Sequence, residues 1–183
     1  MINEHLEKAG RQLKRGTIVE ATLIAAPSGT KNQEKKRDPE MSSTKKKNQW
    51  HFGMKASIGV DAQNGLVHSV KTDTAKTHDS RLMEDCLHGK EEAIFRDKGD
   101  ADKVRKQQCR TGGLYYGILD KATRKAPWSE SQKKGNRQLS SVHSKVEHPF
   151  QVIKGQWKYR KVRYRGLARN TAALPPLGTL SSV

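Results

Sequence analysis

From Trp50 to Asp61 the chain alternates without a break. Trp50, Phe52, Met54, Ala56, Ile58 and Val60 are apolar, with His51, Gly53, Lys55, Ser57, Gly59 and Asp61 between them. Successive side chains of a strand point to opposite faces, so this period predicts a long strand with one face on a core. Asn64–Gly65 follows, a dipeptide suited to the positive φ angles of a tight hairpin turn. Leu66–Thr72 is then expected to return as the paired strand. Asp61 sits where an aspartate commonly hydrogen-bonds a turn. A hairpin of this length must bury one face against another layer, which restricts the chain to folds built around a sheet.

Thr17–Ala26, TIVEATLIAA, supplies a partner for that hairpin. It is a nearly continuous apolar run rich in β-branched residues, the pattern of a buried central strand. Glu20 interrupts it. A carboxylate there is costly unless it is paired, binds metal or lies on a wet face. Farther along, Thr77 or Asp79 can cap a helix reaching about Leu87, with Leu82, Met83, Cys86 and Leu87 inward and Gly89 ending it. Glu92–Asp97, EAIFRD, reads as a short strand with Asp97 at its end. Site residues of open α/β sheets collect at strand ends, although a turn or capping role is equally open for Asp97. Leu114–Leu119 can form another strand, while the rest of Lys98–His143 shows no clear period.

Ser144–Arg169, SKVEHPFQVIKGQWKYRKVRYRGLAR, carries the densest chemistry. Val146, Phe150, Ile153 and Trp157 form an apolar stripe at helical spacing, and Glu147 and Lys154 lie about two turns apart on one face. Pro149 requires either a helix that restarts near Glu147 or a kink. Lys158, Arg160, Lys161, Arg163, Arg165 and Arg169 follow, interleaved with Tyr159 and Tyr164. A carboxylate and a lysine on one face beside such a run suit an acidic polymer.

Charge points the same way. There are 36 Lys+Arg against 19 Asp+Glu in 183 residues, a formal net of +17, which favours a polyanionic partner, nucleic acid before an anionic membrane. The length fits one domain. No apolar run is long enough to span a bilayer, so no membrane span is expected. The charged N-terminus is not a signal peptide, and Asn3–Lys14 can form a short helix. Pro27–Gln49 is polar and lysine-rich, predicting an exposed basic loop over residues 31–49. Cys86 and Cys109 show no CxxC pairing and read as incidental thiols in a reducing compartment. The histidines lack zinc spacing, and there is no G-x-S-x-G or P-loop. Pro175, Pro176 and Gly178 exclude a stable helix in residues 174–183.

Three acids therefore stand out: Glu20, Asp97 and Glu147. Strand, hairpin, helix, strand and late helix is the element order of an α/β, RNase H-like fold, a mixed sheet flanked by helices. The blocks TIVEATLIAAPSGTKN, KKKNQWHFGMKASIGVDAQNGLVHSV, EAIFRD and KVEHPFQVIKGQWKYRKVRYRGLARNTA closely resemble bacterial insertion-sequence DDE transposases of the insertion-sequence-five group, within the broader IS-four-like type. The resemblance spans roughly Asn3 to Ala173 and is weak from Lys98 to Ser141. It implies an RNase H-like DDE domain over residues 17–173, with residues 1–16 left from an N-terminal helical region. It implies that Glu20, Asp97 and Glu147 hold two Mg2+ (or Mn2+) ions for cleavage and strand transfer of DNA. Carboxylate oxygens are the donors such ions prefer, and paired metals serve the attacking and leaving oxygens. Lys154 matches the family's lysine, and Lys158, Arg160, Lys161, Arg163 and Arg165 would follow the DNA backbone. The partners implied are element ends and target DNA, in a homodimer or a mixed oligomer with intact transposase. The location implied is the bacterial cytoplasm, at the nucleoid.

Departures from the family pattern are equally specific. Glu20 stands where the family has aspartate, Arg96 precedes Asp97 in place of a small residue, and Lys98-Gly99-Asp100 replaces Gly-Tyr. His143 stands for an arginine and Ser140 for a tyrosine. The expectation is a truncated, partly degenerate transposase, with a catalytically inactive DNA-binding remnant as the alternative.

Overall fold

The computed structural model describes residues 16–30, 33, 35–46, 48–97, 103–119 and 127–174. The expected N-terminal helix, the altered segment Lys98–Asp100 and the tail 175–183 lie outside them. Among the described residues one mixed sheet holds β1 (Gly16–Ala25), β2 (Ser42–Lys46), β3 (Gln49–Asp61), β4 (Val67–Thr74), β5 (Ala93–Arg96) and β6 (Tyr115–Ile118). The helices are α1 (Asp79–Glu84), α2 (Lys103–Thr111), α3 (Glu130–Gln151) and α4 (Leu167–Ala172), with a π-helical turn, Val152–Gln156, continuing α3. The fold is α/β, as expected.

β1 is the central strand. It pairs antiparallel with β3 and parallel with β5, which pairs parallel with β6, while β4 and β2 add to β3. Its alternate residues enter two cores. Ile18 and Ile24 pack with Met54, Ile58, Val60, Val146, Val152, Ile153 and Tyr159, whereas Val19 packs with Met83, Cys86, Ile94, Tyr116 and Ile118. Each fully buried aliphatic side chain contributes roughly 1.5–3 kcal/mol.

The hairpin forms as expected. Asp61 Oδ1 accepts from the N–H groups of Gln63 and Asn64 at 2.8 and 2.7 Å, and Gly65 takes the positive φ of 70° that closes the turn. Two glycines permit close approaches that side chains would block. A Cβ on Gly53 would lie 2.1 Å from the Ile24 carbonyl oxygen. One on Gly117 would meet Leu139 at 2.9 Å, so the missing side chain lets α3 settle on the sheet.

Several expectations are corrected. The loop over 31–49 contains β2, whose Ser42–Lys46 pair with Gly53–Gln49, and Met41 is buried before it. A polar strand such as SSTKK is held by ladder hydrogen bonds and carries no apolar period. His78, rather than Thr77 or Asp79, caps α1, its Nδ1 accepting from Ser80 N–H at 3.3 Å. The stretch without a clear period contains α2 and the first half of α3. Ser129 starts α3 with a capping box: its Oγ accepts from Gln132 N–H, and Gln132 Oε1 accepts from Ser129 N–H. α3 passes through Pro149 without restarting. The π-helical turn follows within one turn of that proline, the sort of irregularity a missing N–H brings on. Cys86 is buried and its thiol is pushed up to about 12 by desolvation, so it is no nucleophile.

The segment after the π-helical turn is pinned on both sides. Ala25 N–H donates to Arg160 O and Val162 N–H to Ala25 O, so the segment bridges the end of β1. Asp38 and Glu40 accept from Gly166 and Leu167 N–H at 2.7 and 2.6 Å, at the start of α4. Asn170 is fully buried and organises the interior of this segment. It accepts from Tyr159 O–H, Arg163 N–H and Tyr164 N–H and donates to Tyr164 O and Gly166 O. Asn170→Ala removes the protein partner of these groups, of which the Tyr159 hydroxyl is buried. We expect a loss of about 3 kcal/mol, read as a lower urea midpoint at unchanged slope. A loss below about 0.5 kcal/mol would show that the segment is held by its ends alone.

Candidate active site

Register brings the first two carboxylates together. Ile18 pairs with Phe95 across the parallel β1–β5 ladder. Two residues farther along both chains stand Glu20 and Asp97, and a two-residue step returns to the same face. That face is the one α3 covers, because Ile18 and Val146 share one buried core with Phe95 packed against it. Val146 is buried in that contact, while Glu147 stays exposed at its margin.

Glu20, Asp97 and Glu147 all line one open cleft of about 490 Å³, together with Thr22, His143, Phe150, Lys46, Lys154 and Arg160. Two groups of charge share its lining: an acidic pole of Glu20, Asp97 and Glu147, whose charges meet at His143, and a cationic pole of Lys46, Lys154 and Arg160, whose charges meet at Lys154, with Lys46 also bordering Glu20 and Asp97 in an adjoining hollow. Lys154 is half-buried and its ammonium is pushed below the ordinary lysine value, first by burial and then by the charges of Lys46 and Arg160. Like charges held together in a partly dry site favour an anion between them. Arg160 is fixed there by its Nε donating to Lys154 O at 3.0 Å.

His143 lies against the acidic pole. Its Nε2 is 3.2 Å from Glu20 Oε2, an ion pair whenever the imidazole is protonated. Contact with Glu20 is the largest influence raising the imidazole above its ordinary value. Burial opposes it, and the charges of Glu20, Asp97 and Glu147 add to it. His143 thus feels all three acids at once. The sequence marked it only as a substitution for arginine.

The three carboxylates offer oxygen donors, the ligand chemistry of Mg2+ and Mn2+, with the His143 ring beside them. The donor set therefore fits such ions. The three carboxylates border the cleft without closing on one point: among the described residues no three His, Cys, Asp or Glu side chains stand close enough to grip a single ion.

The expected basic strip divides. Lys154 and Arg160 face the cleft, whereas Arg163 and Arg165 line a separate hollow of about 250 Å³ with Asp38 and Tyr164. Lys161 forms the bridge to Ala25, and Lys158 takes a positive φ of 53° at the bend. Lys46, which sequence reasoning left in a loop, joins the cleft in their place.

A family model described as "Transposase DDE domain" matches residues 11–174, most of the chain. The chain belongs to the transposase DDE domain family. Proteins of this family generally work with divalent metal ions. Among solved structures, the chain is similar to the large terminase nuclease from thermophilic phage G20c with bound zinc. Identity is 10%, 76% of each chain is covered and the TM-score is 0.24, too low to carry argument. No helix among the described residues is long and apolar enough to cross a membrane.

Proposed function

We propose that this DDE domain binds DNA in the two-pole cleft and cuts its phosphodiester backbone with Mg2+ or Mn2+, as a step in moving an insertion sequence. The observation that carries the reading is the meeting of both poles in one cleft: Glu20, Asp97 and Glu147 against Lys46, Lys154 and Arg160. The cationic pole, Lys46, Lys154 and Arg160, would hold backbone phosphates. Glu20, Asp97 and Glu147 would hold the metal, which when bound supplies Lewis acidity and an activated oxygen nucleophile. Phe150 and Thr22 complete the wall on which a strand would rest.

A second reading, a DNA-binding remnant without catalysis, is favoured by one observation. Glu20 is tied to His143, and the acids do not converge on one ion. A nicking assay on supercoiled plasmid with Mg2+ or Mn2+ separates the two readings. Metal-dependent nicking supports the first, and its absence at concentrations that saturate DNA binding supports the second.

Both readings make binding electrostatic. With several phosphates neutralised, affinity for unrelated duplexes is expected to fall by about 1000-fold or more between about 50 and 200 mM salt. An affinity that does not change over that range would remove the cationic pole from the interface.

A further inference from the structure

The β2–β3 arm carries a feature that cleavage chemistry leaves unexplained. Trp50 is 70% exposed, the most open of the large apolar side chains among the described residues. It lies on the same strand face as Phe52, Met54 and Ala56. Met54 and Ala56 are buried on that face, and Phe52 is partly covered by the Arg37 guanidinium at 5.5 Å. Trp50 is the next position outward and stays bare. A single exposed apolar residue needs no special reason, but its surroundings give one here. Register places Lys45 directly opposite Trp50, and the next pair outward, toward the arm's turn, is Lys46 with Gln49 on the arm's other face. Lys46 lines the cleft beside Glu20 and Asp97. Between Glu40 and Asp61 the sequence contains no acidic residue. An open indole on a lysine-bearing, acid-free arm that borders the carboxylates combines a π-face with a phosphate-binding margin.

We propose that the β2–β3 arm is a base-stacking clamp: Trp50 stacks on an unpaired DNA base next to the strand lying in the cleft, while Lys45 and Lys46 hold the flanking phosphates. This rests on the cleft being a DNA site and adds the substrate form it prefers, a strand with an unpaired or frayed base. A paired base offers its face only to its neighbours, so the clamp discriminates single-stranded from duplex DNA. An anionic membrane surface is the other chemistry that an exposed indole beside lysines can meet.

The test uses the full chain in EDTA, so it does not depend on cleavage. Tryptophan emission is followed while adding an oligothymidylate of about 12 nucleotides, a blunt duplex at equal phosphate, or phosphatidylserine vesicles. The expected result is quenching by the oligothymidylate, with the quenched component missing in Trp50→Phe. Trp50→Ala should weaken oligothymidylate binding by about 5- to 100-fold and duplex binding by less than about 2-fold, with Trp50→Phe keeping most of the affinity. Because Trp50 is exposed, both variants should keep the native circular dichroism. The clamp is overturned if the oligothymidylate binds while Trp50 emission stays unchanged, or if Trp50→Ala weakens both DNA forms equally. A response to vesicles but not to the oligothymidylate would overturn it in favour of a membrane contact. If DNA binding is intact and Trp50 is silent, the clamp alone falls. If no DNA of either form binds, the DNA reading of the cleft falls with it.

Discussion

Glu147→Gln is expected to lower metal-dependent nicking by about 1000-fold or more while leaving DNA affinity within about 3-fold. The substitution keeps size and shape and removes only the charge. Glu147 is exposed at the edge of α3, next to the buried Val146, so the helix has no packing reason to move. What changes is the acidic pole, which falls from three carboxylates to two. A divalent ion in an open cleft depends on that charge, since an amide oxygen is a much weaker ligand. The cationic pole of Lys46, Lys154 and Arg160 is untouched, so salt-sensitive binding should persist. Supercoiled-plasmid nicking and a filter-binding titration on the same preparation give both numbers. Nicking that survives Glu147→Gln would come from a contaminating nuclease or from another site on the chain.

Parts of this architecture were legible in the sequence because their causes are local. The alternation from Trp50 and the Asn64–Gly65 turn specify β3 and β4 almost alone, and the apolar run around Glu20 specifies a central strand. The start of α3 was also written locally, in Ser129 and Gln132, but the charged and weakly apolar residues after that capping box concealed it. β2 was illegible for a different reason. Its side chains are polar, and its main support is the ladder to β3, a pairing that no period announces.

The site divides in the same way. Each acid could be singled out by its type and place, but the nearness of Glu20 to Asp97 follows from a parallel register across 77 positions of chain, which sequence spacing cannot display. The basic run looked like a single surface because its residues are consecutive. The bridge from Ala25 to Lys161 turns Arg160 toward the cleft and leaves Arg163 and Arg165 on another hollow. His143 was visible as a departure from the family's arginine, but its grip on Glu20 required the fold.

That grip makes Glu20→Asp the most informative gain-of-function test, with an expected rise in nicking of about 100-fold. Glu20 reaches across from β1 until its Oε2 lies 3.2 Å from His143 Nε2 on α3. The side chain is one methylene longer than the aspartate that the resemblance implies at this position. Shortening it draws the carboxylate back by about one C–C bond, roughly 1.5 Å, toward the strand, where register sets Asp97 alongside. The contact with His143 is then out of reach, and the acid is freed on the side of the cleft where its partners are. Displacements of about 1 Å at a reacting centre can cost on the order of 100-fold, which sets the scale of the recovery. The cost in stability should be small, about 1 kcal/mol or less, because the pair that is lost is partly exposed. His143→Ala frees Glu20 without moving its carboxylate, so it should recover less than Glu20→Asp. Equal recovery in the two variants would assign the defect to the ion pair and not to the extra methylene. If neither variant nicks DNA that it still binds, the cleft is a binding surface and the reading of a non-catalytic remnant stands.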